Sequence, residues 1–138
     1  MLVTSPVYSF ESDAFPVLGD EDAATNPGVY GKALAEWMSA KLTEGGAGAK
    51  APYAEDWGWC VEIAGHPHPT GLACAGEAEE GSTPTWRVYA FVDLGVLGRF
   101  RGGQEAAQRT VDDLSRKLKE ILSTAPSISK LLIDEEAP

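Results

Sequence analysis

The five residues Glu55-Asp56-Trp57-Gly58-Trp59 hold more groups suited to chemistry than any other stretch of the chain. Two carboxylates can move a proton or attract a cation, and Gly58 would let a ligand reach the backbone between two indoles. With Tyr53 just before them and two cationic side chains farther along, Tyr53, Glu55, Asp56, Trp57, Trp59, Arg99 and Arg101 form a candidate ligand site. The competing reading is the entrance of a strand, with both acids in solvent and both tryptophans packed under helices. Neighbouring residues of a strand point to opposite faces, which weighs against a paired-carboxylate mechanism.

His66-Pro67-His68 lies between Cys60 and Cys74. As a metal site this would read Cys-x5-His-x-His-x5-Cys, a spacing that matches no zinc module. Extended chain would also carry Cys60 about 20 Å from His66, so no metal is expected. A hairpin symmetric about Pro67 would set Cys60 opposite Cys74 on one face. Without an export signal, two cysteines point to a reducing, cytoplasmic setting and free thiols; export would allow a cross-strand disulfide.

Asp93–Gly103 carries glycines at 95, 98, 102 and 103 together with Arg99 and Arg101, ahead of a helix. Free N–H groups there could hold an anion. The Gly-Lys-Ser/Thr ending of a nucleotide-binding loop is missing, so a glycine-rich connector is the expectation. There is no Gly-x-Ser-x-Gly elbow, and both histidines share one proline-rich turn. The sequence names no catalytic residue and no cofactor.

These residues need elements to position them. Val3–Phe10 reads as a first strand, with Pro6 calling for an edge position or a start after residue 6. Residues 11–26 read as a loop. Asn26-Pro27-Gly28 reads as a helix start, with Asn26 as cap and Pro27 in the first helical position. Tyr30, Leu34, Trp37, Met38 and Leu42 follow at helical spacing, and Gly45-Gly46 closes that helix. Tyr53–Ala64, Leu72–Gly76 and Thr85–Leu94 read as three strands joined by short turns, an antiparallel meander. Trp86, Val88, Ala90 and Val92 share one face of the last, and Arg87, Tyr89, Phe91 and Asp93 the other. A second helix is expected from about Gln104 to Thr124, with Ala107, Val111, Leu114, Leu118, Ile121 and Leu122 as its apolar stripe. Asp112–Arg116 and Asp113–Lys117 are acid-first pairs at four-residue spacing. Pro126 stops the helix, and Ile128–Ile133 reads as a last strand. The order βαβββαβ predicts an α+β domain over residues 1–138, with a mostly antiparallel sheet of about five strands and both helices on one face.

The formal charge of −10 is segregated. Residues 1–80 hold thirteen acids against three lysines, whereas residues 81–138 are balanced at eight of each sign. A basic footprint for phosphates is lacking, which argues against direct nucleic-acid binding. No apolar run reaches the ~20 residues that span a bilayer. The expected partner is a protein with a basic surface, met by Asp20, Glu21, Asp22, Glu55, Asp56, Glu77, Glu79 and Glu80.

Asn26-Pro27-Gly28-x-x-Gly31-x-Ala33-Leu34-Ala35-x-Trp37, followed by Glu55-Asp56-Trp57-Gly58-Trp59, resembles small uncharacterised bacterial or phage proteins. The resemblance implies a compact α+β fold and brings no activity with it. The functional expectation is a non-enzymatic interaction module: an acidic inhibitor, an immunity-type partner or a phage-encoded antagonist, with an anti-CRISPR-like protein as one form. The alternative is a small-molecule-binding protein or weak enzyme built on the Glu55–Trp59 strand.

Overall fold

The structure, a computed structural model, describes residues 1–98 and 103–135. Among these residues it is α+β, with two helices of more than one turn on one face of an antiparallel sheet. The strands are β1 (Leu2–Thr4), β2 (Val7–Glu11), β3 (Tyr53–Glu55), β4 (Gly58–Glu62), β5 (Thr70–Glu77), β6 (Thr85–Asp93) and β7 (Ser129–Asp134). The helices are α1 (Lys32–Glu44) and α2 (Gly103–Thr124). The seven strands run β3-β4-β5-β6-β2-β7 across the sheet, and β1 also pairs with β6.

Seven strands replace the expected five because two expected strands are each broken in two. Pro6 lacks the N–H that a ladder needs, and the first strand divides there into β1 and β2. Ser5 seals the break: its N–H donates to the Ala90 carbonyl at 2.9 Å, and its hydroxyl accepts the Ala90 N–H at 2.8 Å. Pro6 does mark a strand start, but β2 lies between β6 and β7 and is no edge. The second break is at Asp56-Trp57, where Glu55 faces Gly58 across a two-residue hairpin turn.

The helix-covered face holds Tyr8 and Phe10 of β2, Trp59 and Val61 of β4, Leu72 and Cys74 of β5, and Trp86, Val88 and Ala90 of β6. Leu34, Ala35, Met38 and Leu42 of α1 and Leu114, Leu118 and Leu122 of α2 close over them. Phe15 stacks edge-on against Trp86, with ring centroids 5.8 Å apart. The apolar stripe of α2 is the predicted one, except that Ile121 is only partly buried. Of the two expected acid-first pairs on α2, only one forms. Asp113 takes both Lys117 at 3.4 Å and Arg116 at 2.8 Å, while Asp112 accepts from Gln108.

Helix α1 starts later than Asn26-Pro27-Gly28 suggests. That tripeptide is a turn, with Val29 donating to Asn26 at 3.0 Å and Gly28 at φ +81°. Tyr30 then exchanges two backbone hydrogen bonds with Gly76, which holds the chain extended up to Gly31. The far end follows expectation: Gly46 takes φ +89° and donates to Thr43, and Ala47 donates to Leu42, a Schellman closure.

Candidate functional site

The chain's acids gather because the topology brings three connections to one end of the sheet. The β3–β4 turn, the β5–β6 turn and the loop from β2 to α1 all lie there. Asn26 donates to the Asp56 carbonyl at 2.8 Å, which ties that loop to the β3–β4 turn. The Tyr30–Gly76 bridge ties it to the end of β5. Asp20, Glu55, Asp56, Glu77, Glu79 and Glu80 are exposed at this end, and Asp22 is half-buried.

Two of the expected partner-facing acids are used inside the molecule. Glu21 is only 6 % exposed, and its Oε2 accepts from the N–H groups of Gly31 at 2.7 Å and Lys32 at 3.1 Å. It therefore caps α1 from a separate 3-10 turn, and it is withdrawn from any contact surface. Asp22 accepts from Gly28 at 2.8 Å. Glu77 lies 3.9 Å from Arg87, an exposed and long ion pair. Among the described residues, no cation lies at ion-pair distance from Asp20, Glu55, Asp56, Glu79 or Glu80.

The candidate ligand site of the Glu55–Trp59 stretch is divided by the hairpin. Trp59 points into the helix-covered core, where Lys32 lies 5.8 Å from its ring centroid. Trp57 sits at the turn and is 42 % exposed, so the two indoles do not share a wall. The expectation that both pack under helices holds for Trp59 and fails for Trp57. Tyr53 and Glu55 lie on edge strand β3, while Arg99 and Arg101 fall outside the described residues.

Trp57 does line a cavity of about 380 Å³ on the sheet face opposite the helices. Its floor is Ala73 and Ala75, and its rim adds Arg87, Tyr89, Val7, Ser9 and Asp134. The alternation of β6 signals this open face, since Arg87 and Tyr89 face away from Trp86 and Val88. What sequence reasoning missed is Trp57 as a turn residue, hidden by the run Trp57, Trp59, Val61, Ile63.

The cysteines are not opposite one another. Cys60 faces Ala73, and Cys74 faces Trp59. Ile63 closes the intervening turn by donating to Thr70, which leaves six residues between them in place of a turn centred on Pro67. That shift of one residue puts the two thiols on opposite faces of the sheet, which rules out the cross-strand disulfide. Both are free and buried. Burial pushes both thiols up. On the open face a side-chain hydrogen bond with Cys60 pushes the Tyr53 hydroxyl up to about 12. Among the described residues, no three or more His, Cys, Asp and Glu side chains are grouped to hold a metal ion.

Compared with protein-family models, with curated proteins and with solved structures, the chain matches none. No helix among the described residues is long and apolar enough to cross a membrane.

Proposed function

We propose that this protein is a non-enzymatic interaction module that docks the acid-rich end of its sheet onto a basic surface of a partner protein. One observation supports the reading: Asp20, Glu55, Asp56, Glu77, Glu79 and Glu80 come from three separate connections and converge at one end, where among the described residues only Glu77 has an ion-pair partner. Carboxylates gathered this way steer a cationic surface into contact and speed association. Trp57 stands among them, part-exposed, and a tryptophan ringed by polar groups is a common anchor of binding energy. An inhibitor, an immunity-type partner or a phage-encoded antagonist that covers a basic cleft would use such a surface. Two reduced thiols suit a cytoplasmic setting.

The test is capture of partners from bacterial extract on immobilised protein, at low and high salt, beside a variant carrying Asp20→Asn, Glu55→Gln, Asp56→Asn, Glu79→Gln and Glu80→Gln. The expected result is a basic protein held at low salt and lost both at high salt and on the variant. Capture that ignores both changes overturns the reading.

A second reading, a small-molecule-binding protein, is supported by the cavity between Trp57 and Tyr89. It requires ligands that quench indole fluorescence in the natural chain and fail to do so in a Trp57→Phe variant.

A further inference from the structure

We propose that β7 is a pairing edge for a second copy of this chain, joined to it as a two-fold antiparallel strand pair centred on Leu132. Strand β7 is outermost and pairs only with β2 among the described residues. The opposite edge, β3, has three residues; β7 has six, and all but Leu131 are exposed. Leu132 is 69 % exposed and Ile133 38 % exposed. An exposed edge with apolar side chains is a template for another strand. The backbone irregularities that blunt an edge stand only at its first half, and Asp134 puts a charge at the other end. A bulge falls between the partners of Ser9 and Glu11, and Lys130 takes φ +54° there.

The sequence of β7 is complementary to itself. Antiparallel pairing about Leu132 sets Leu132 against Leu132 and Leu131 against Ile133, and brings Lys130, at the bulge, alongside Asp134 on each side. Opposite charges therefore meet twice, and apolar residues meet apolar residues between them. Parallel pairing in the same register would set Lys130 against Lys130. Shifting the centre to Ile133 would set Leu132 against Asp134. Only the Leu132-centred antiparallel register matches both charge and hydropathy.

The arrangement also suits the field of the molecule. Because β7 begins at the acid-rich end, antiparallel pairing sends the two acid-rich ends to opposite extremes of the dimer. Lys130 already lies 3.0 Å from Glu11 of its own chain and would bridge that carboxylate to Asp134 of the second copy. A strand edge alone buries less than the ~800 Å² per partner of a standard interface, so the dimer forms at high protein concentration and dissociates on dilution.

Sedimentation equilibrium of the full chain tests this, with Lys130→Asp, Asp134→Lys and the double variant. The natural chain should self-associate into dimers. Each single change sets like charges opposite each other at two symmetry-related places and should weaken the dimer about tenfold. The double variant restores opposite charges and should recover affinity to within about threefold, which a misfolded single variant could not explain. Leu132→Lys should abolish the dimer. A natural chain that stays monomeric at high concentration, one that pairs only with a strand of another protein, or a dimer that ignores the charge exchange overturns the proposal.

Discussion

Glu21 reaches ten residues along the chain to place its carboxylate 2.7 Å from the backbone nitrogen of Gly31. Gly31 has no side chain to cap α1, and an added Cβ there would lie 2.9 Å from the Cys74 carbonyl oxygen. The helix start must therefore be satisfied from elsewhere, and a buried anion suits the positive end of the helix dipole. Glu21→Ala should lower stability by about 1–2 kcal/mol, measured by urea denaturation, and Glu21→Gln by less. An unchanged midpoint for Glu21→Ala would show that the loop can recap the helix.

Gly76 lies directly across from Trp86, on the core face. An added Cβ would overlap the six-membered ring of Trp86, which is itself fixed by a 3.1 Å hydrogen bond from its Nε1 to the Ser12 carbonyl. The ring cannot step aside without breaking that bond. Gly76→Ala should destabilise by about 1–3 kcal/mol, read from the thermal midpoint together with the near-ultraviolet dichroism of the indole.

Trp59 and Trp86 should respond differently to Phe. Both are buried, but Trp59 Nε1 has no hydrogen-bond partner among the described residues, whereas Trp86 Nε1 has one. Trp86→Phe leaves the Ser12 carbonyl unpaired, at an added cost of about 1–3 kcal/mol; Trp59→Phe removes a donor that was already unmet. Urea midpoints of the two variants should show Trp86→Phe as clearly the more damaging.

The Tyr53 hydroxyl, pushed up to about 12 by its hydrogen bond with Cys60, should titrate late in an ultraviolet pH titration. The neutral phenol is the form the fold favours. Its contribution is therefore fully present below the unfolded-state pKa near 10 and is lost as pH rises toward 12. Cys60→Ala should bring the titration back toward the ordinary value. A tyrosine titration curve that Cys60→Ala leaves unchanged would remove this linkage.

The fold was legible wherever the pattern was long. The stripe of α2 and the alternation of Trp86, Val88, Ala90 and Val92 predict the core face directly, because many residues vote for one period. What escaped depends on contacts far apart in sequence. The Tyr30–Gly76 bridge delays α1 past a tripeptide that looks like a cap. A single-residue register shift parts the cysteines, and spacing about a proline cannot report it. The acid-rich end was half legible: segregation along the chain is visible in the residue order, but Glu21 belongs to the interior for reasons only Gly31 supplies. Trp57 was hidden because a turn of two residues keeps the alternation of the strand after it.

Among the described residues, strands β1 and β2 have only β6 and β7 for neighbours. The first eleven residues thus find no ladder until the segment beginning at Thr85 has been made, and Val7–Glu11 waits for Ser129 onward to complete its second side. Pairing β2 with β6 and β7 closes a large loop for each ladder, and non-local contacts of this kind form slowly.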